Sequence, residues 1–324
     1  MKKNYNFLNV MKAFSCIFVI FLHSEVSLKL PLISQIARVG VLVFLTITGF
    51  FSSNITLSKI NTRLYKILKM ILCVLLLYII WNSFFYHYTN SGYYNVLLKE
   101  NLNLKSLFYL IFFNRAPFIC SIFYYLLIIV YVYIFDYILV KLNIRDKIIP
   151  SISFIIISIS LIVQFFYNYE WFIFGNWIFT GIPFYYLGIY FKKNEEKLKN
   201  INIPLNVVLI VFGFLLVIIQ YYLTNKVVYY CLGNIVFLVP IFSYACRNKN
   251  NEKTNLLSFI GENLSLYIFI VHLVFINLVN FVIKNDSNII IIFKLLIVIL
   301  ISLIVSIIIY YCKEKLRYGK KKKQ

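Results

Sequence analysis

The sequence predicts an all-α, polytopic integral membrane protein with about ten transmembrane helices. Three observations carry this. Hydrophobic residues make up 62% of the 324 residues and charged residues only 13%, with a mean hydropathy of +0.85. Soluble domains are roughly half apolar and one quarter charged. The apolar residues also fall in runs of the length a helix needs to cross the hydrocarbon core, about 20 residues. Finally, the runs lack the sustained apolar/polar alternation of a barrel strand. They are rich in Ile, Val, Phe and Tyr, which favour strands in water, but in lipid every backbone N–H and C=O must be satisfied internally, so a helix is what these runs select.

From the N-terminus the spans fall at about 7–27, 36–54, 66–88, 118–140, 148–166, 172–191, 203–223, 227–246, 258–283 and 288–312. The first run follows basic residues, as in a signal peptide. Its apolar stretch 13–22 is bracketed by Lys12 and His23, however, and no small-residue cleavage site follows, so a retained helix is expected. Basic residues set the orientation. With both termini cytoplasmic, the inner segments carry Lys2 and Lys3, the cluster Lys59, Arg63, Lys66 and Lys69, then Lys141, Arg145 and Lys147, then Lys192, Lys193, Lys197 and Lys199, then Arg247, Lys249 and Lys253, and finally Lys313, Lys315, Arg317 and the lysine run 320–323. The outer segments carry scattered ones: Lys29, Arg38, Lys99, Lys105, Arg115, Lys226 and Lys284. That asymmetry is what the positive-inside rule expects of a multi-pass protein in the cell membrane.

Connections are short, giving one membrane domain over 1–312 and a basic cytoplasmic tail over 313–324 that suits anionic lipid head groups. The exception is 89–117, which holds a short apolar patch at 107–113, then Asn114, Arg115, Ala116 and Pro117. The patch is too short to span and reads as a re-entrant or interfacial piece.

The net charge of +21 sits between apolar runs, not on a soluble basic face, so nucleic acid is excluded as a partner and membrane lipids are expected. Six cysteines (Cys16, Cys73, Cys120, Cys231, Cys246, Cys312) show no metal-ligand spacing and read as small buried apolar side chains. No G-x-S-x-G elbow, H-E-x-x-H, Walker loop or dinucleotide fingerprint is present, so covalent-serine and metal mechanisms lack sequence support.

Ionisable groups inside spans are costly and therefore functional candidates. Lys12 and His23 are eleven residues apart, which on a helix is about 20° around the axis and roughly 16 Å along it. They share a face: either they line a shaft across the membrane, or Lys12 snorkels inward and His23 caps a polar pocket. Arg63, Lys66 and Lys69, at i, i+3 and i+6, share a surface able to grip a polyanion, or are ordinary inner-side charge. In the ninth span Glu262 lies at the inner end and His272 about 15 Å deeper, as a catalyst or a hydrogen-bonded packing residue. His87 reads as interfacial. Trp171 and Trp177 are belt anchors or sugar-stacking rings.

Together these residues resemble the acyltransferase type 3 family of polytopic membrane proteins, over nearly the whole chain. The family's Arg or Lys, ten residues and His on the first helix is matched by Lys12 and His23, and its second helix by the stretch from Ile36 through Arg38 and Thr48 to Phe51, with Leu42 near a position where many relatives have proline. Its Arg-x-x-Arg is matched by Arg63 and Lys66; lysine keeps the charge but loses the bidentate fork. Weaker matches start at Phe123, at Pro183 and at Ser265, the last ending on His272.

The resemblance implies a membrane O-acyltransferase that moves an acyl group, acetyl first, from cytoplasmic acyl-CoA to a hydroxyl of a cell-surface glycan or its lipid-linked precursor. It implies His23 as general base with Lys12, His272 and, as oxyanion donor, Thr48 among the catalytic residues. Arg63, Lys66, Lys69 and Arg38 would bind the donor. Acyl-CoA is a substrate here, with no permanently bound cofactor or metal, and a homo-oligomer is allowed. The alternative is a transporter, flippase or polymerase for a lipid-linked glycan, in which the same charges line a substrate path.

Overall fold

The computed structural model describes residues 5–89, 99, 103–115, 121–167, 171–250, 254–285 and 287–321. Lys2, Lys3, Ala116, Pro117, Cys120, Lys253, Lys322 and Lys323 lie outside them, as does the side chain of Trp171. The described residues are helical, with no strand among them. Among the described residues, seven helices have the length and apolarity to cross a membrane: Asn6–His23, Pro31–Phe50, Leu57–Tyr88, Phe123–Lys141, Ile203–Thr224, Leu256–Val282 and Asn288–Leu316. The chain is an all-α, multi-pass membrane protein.

Three of the ten expected spans appear in shorter or interrupted form. Span 148–166 is a helix from Arg145 to Phe166 with an apolar part of Ser151–Phe166, and span 227–246 starts only at Leu232. Span 172–191 is broken: a short helix Trp171–Phe174 gives way to a π-turn Trp177–Gly181 before the helix Ile182–Lys193. Asn176 causes the break. Its side-chain carbonyl accepts from the Ile178 and Phe179 amides at 2.9 and 3.0 Å, so it caps a new start. The patch 107–113 lies in a ten-residue helix, Leu104–Phe113, capped by Asn103. Buried Asn114 fixes that helix: it donates to the Tyr124 and Gly175 carbonyls and accepts from the Trp177 amide at 3.0 Å. Trp177 in turn donates its indole N–H to the Phe112 carbonyl, which gives it a structural task. Of the cysteines, Cys16, Cys231 and Cys246 are buried as expected, whereas Cys73 and Cys312 are exposed on their helices.

The chain forms two units, 1–44 with 194–324, and 45–193. In the first, the N-terminal helix runs alongside the composite helix made by Leu256–Phe259, a π-turn Ile260–Leu264 and Ser265–Val282. Their backbones touch: a Cβ on Gly261 would stand 1.7 Å from the Asn9 carbonyl oxygen. Beyond this crossing Cys16, Ile20, Leu264 and Ile268 pack into one apolar cluster with Ile276, Val279 and Val298. A buried polar lock joins Gln35 to the 228–234 stretch, with Gln35 donating to Asn234 and accepting from the Val228 amide, and Asn234 donating to the Gln35 carbonyl. At the start of the unit Tyr5 donates to Glu195, which also pairs with Lys249. Burial and that carboxylate push the Tyr5 hydroxyl well above its ordinary range.

In the second unit the end of Val39–Phe50 crosses Ile182–Lys193 at a pair of glycines. A Cβ on Gly49 would lie 1.8 Å from the Tyr185 carbonyl oxygen, and one on Gly188 2.0 Å from that of Thr46. Small residues let helices approach this closely where lipid supplies no hydrophobic drive between them. Alongside, fully buried Asp136 accepts from Tyr185 at 2.9 Å and Tyr186 at 3.1 Å and forms an ion pair with Arg145, whose Nε lies 2.8 Å from the carboxylate. The Arg145 guanidinium also donates to the Ser52 and Ser53 carbonyls at 2.7 and 3.0 Å. Those carbonyls follow the C-terminal end of a helix, where partial negative charge accumulates.

Two stability outcomes follow. Gly261→Val and Gly188→Val each lower thermal stability in detergent by about 3 kcal/mol, since backbone stands where the new side chain would go; an unchanged midpoint would contradict the crossings. Asp136→Leu alone costs roughly 3–5 kcal/mol by stranding the Arg145 charge, and adding Arg145→Met recovers most of it.

Candidate active site

His23 is the last residue of the Asn6–His23 helix, and His272 lies two turns into Ser265–Val282. Three contacts show that these helices run parallel: residue 9 meets 261, Cys16 Sγ donates to the Ser265 carbonyl, and His23 meets His272. The imidazole centroids are 5.4 Å apart with the rings inclined at 43°. Intervening apolar packing and the parallel course deliver both rings to one level. The π-turn contributes too, because an extra residue in one turn rotates the face that follows.

Hydrogen bonding assigns the His272 tautomer. Its Nδ1 lies 2.8 Å from the Phe269 carbonyl and 3.3 Å from that of Ile268. A carbonyl only accepts, so Nδ1 carries the proton. In the neutral ring Nε2 then holds a lone pair, and this atom is buried with no hydrogen-bond partner among the described residues. His272 is fully buried, and His23 is half-buried. Arg38, which ends the short helix Pro31–Ala37, acts electrostatically on His23. Four of the expected catalytic and binding residues thus lie in the first unit, and three of them, His23, His272 and Arg38, gather at one end.

Lys12 is the fourth, at the other end of the same helix. It donates to Asn9 Oδ1 at 3.2 Å, and Asn9 donates on to Glu262 at 3.4 Å. Lys12 and Glu262 therefore form one polar group across the Gly261 crossing. Between this group and the imidazoles, Cys16 and Ile20 are packed against Leu264 and Ile268. The interface of these two helices is apolar along its middle, so the expected shaft does not run through it.

Thr48, Arg63, Lys66 and Lys69 belong to the second unit. Arg63 donates to the Ser52 hydroxyl and to the Phe51 carbonyl at 3.2 Å, and lies 6.0 Å from the Tyr133 ring centroid. With Arg145 it places two guanidiniums on the turn that ends the helix carrying Thr48, whose own carbonyl accepts from Ser52. Lys66 and Lys69 are exposed on successive turns of Leu57–Tyr88. Sequence reasoning missed Asp136 and placed Arg145 among the loop charges. The signal was available: Asp136 is a lone carboxylate in the apolar run of Phe123–Lys141, the kind of intramembrane charge that calls for a partner.

No match was found among curated proteins or among solved structures. A family profile described as an acyltransferase domain matches residues 5–311, a stretch that holds His23, His272 and every candidate residue above. The chain therefore belongs to the acyltransferase type 3 family of membrane proteins.

Proposed function

We propose that this protein is an O-acyltransferase of the cell membrane, with both termini cytoplasmic, that moves an acyl group, acetyl first, from cytoplasmic acyl-CoA to a hydroxyl of a cell-surface glycan or its lipid-linked precursor. The observation that carries the reading is the pair of imidazoles 5.4 Å apart inside a membrane unit, one with a buried nitrogen that has no hydrogen-bond partner among the described residues. An imidazole is the side chain that can be neutral near pH 7 and still take a proton.

In this reaction the acceptor oxygen attacks the thioester carbonyl carbon as His23 takes the hydroxyl proton. The tetrahedral oxyanion collapses, the C–S bond breaks, and the leaving thiolate receives the proton from the imidazolium. Protons and electrons balance with no other reactant, and a thioester is reactive enough to need no covalent enzyme intermediate. His272, its ring 5.4 Å from that of His23, shares the charge that develops there. Arg38, at the end of the short helix Pro31–Ala37 in the same unit, is the cation proposed for the oxyanion. Lys12, tied to Asn9 and Glu262, sets the electrostatics at the other end of the helix. Lys66 and Lys69 take the donor's phosphates. Arg63, engaged with Phe51 and Ser52, holds the neighbouring turn.

Two assays check this on membranes given labelled acetyl-CoA and a surface-glycan extract. His23→Ala lowers label transfer by roughly 10²- to 10⁴-fold at equal expression, the range for loss of a general base, and His272→Ala lowers it less. Equal labelling removes His23 from the mechanism, and loss of glycan export with acetylation intact points to a flippase instead. Lys66→Ala with Lys69→Ala raises the half-saturating acetyl-CoA concentration about three- to ten-fold with little change in the maximal rate, as exposed charge pairs allow; a fall in rate at saturating donor would argue against phosphate contacts.

A further inference from the structure

The helix Asn288–Lys321 carries one charged residue, Lys294, between positions 288 and 312, within Ile and Leu on both sides. Its side chain is 5% exposed and its ammonium lies 3.4 Å from Glu25, whose side chain is 35% exposed. Stability does not call for this pair. Phe21, Val26, Ala37 and Ile291 already pack the same segment against the helix, and Lys29 bonds Asn288 at 2.9 Å. Replacing a buried ion pair by apolar residues is often neutral or stabilising, and an intramembrane charge is by default a functional group.

The pair is also asymmetric. Lysine is enclosed and the carboxylate is partly open, at a separation longer than the 2.7–2.9 Å usual for a charge-assisted bond. Glu25 therefore keeps accepting capacity for something outside the pair. A carboxylate only accepts, so its ligand must donate, and an anionic group such as a phosphate is repelled. Hydroxyls fit. Glu25 stands two positions after His23 in the chain.

We propose that Glu25, anchored by Lys294, is the acceptor subsite: it accepts hydrogen bonds from hydroxyls of a neutral sugar ring, one other hydroxyl of which is acylated at His23. This rests on the acyltransferase reading and adds the class of acceptor. Lys294 is a positioning residue, holding the carboxylate of the residue two positions after His23.

The test uses full-length protein in phospholipid nanodiscs, labelled acetyl-CoA, and glycan extracted from cells lacking the protein. Glu25→Gln raises the half-saturating glycan concentration about ten-fold, the size expected for a hydrogen bond to a charged group, and leaves the half-saturating acetyl-CoA concentration unchanged. Glu25→Asp restores part of the loss. The double variant Glu25→Ala with Lys294→Met, which strands no charge, behaves like Glu25→Gln or worse toward glycan and keeps its donor response. A purely structural pair would move both half-saturation values or neither, and either result overturns the subsite. No transfer by the parent protein overturns the acyltransferase reading and the subsite with it; transfer by the parent with unchanged glycan dependence in the variants overturns the subsite alone.

Discussion

The backbone contact at Gly261 is the constraint on which the first unit depends. With no side chain there, the N-terminal helix and the 256–282 composite helix meet carbonyl against Cα at Asn9. Two parallel helices joined so closely have little freedom of register. The contact fixes a polar group, Lys12, Asn9 and Glu262, at one level and two imidazoles at another. Apolar packing of Cys16 and Ile20 on Leu264 and Ile268 holds the distance between the levels. Dispersion and shape do the holding, as they must where lipid is as apolar as the side chains.

The second unit solves a different problem, the placement of charge where water is absent. Asp136 and Arg145 neutralise one another, two tyrosine hydroxyls complete the carboxylate, and Arg145 spends its remaining donors on carbonyls left over at a helix end. Arg63 joins from the adjacent helix. That engagement explains how one of three cations at i, i+3 and i+6 comes to serve the fold while Lys66 and Lys69 stay exposed.

The fold class was legible because lipid leaves few choices: run length and the absence of alternation were enough. The break in the 172–191 span was written in Gly175 and Asn176 but was masked by the apolar residues around them. The pairing of His23 with His272 was beyond sequence reasoning, since helical periodicity states which residues share a face and says nothing about which helix that face meets. The shaft inferred from Lys12 and His23 failed for the same reason: a shared face was correct, yet its middle is filled by the neighbouring helix. Asp136 could have been found, as the rule applied to Lys12 and His23 applied equally to it. Arg145 looked like loop charge because it stands at a helix start, and only tertiary structure shows it turned inward. Lys294 was visible as a charge within a span, but its partner Glu25 lies far away in sequence.

The central claim is that two imidazoles stand side by side, and it can be measured directly. The chain has three histidines, His23, His87 and His272. Solid-state NMR of the ring-labelled protein in lipid would resolve them with few variants. A through-space correlation between the His23 and His272 rings, none to His87, and a proton on His272 Nδ1 with Nε2 bare is the expected result. Absence of the ring-to-ring correlation, in protein that gives well-resolved signals from all three residues, would contradict the account.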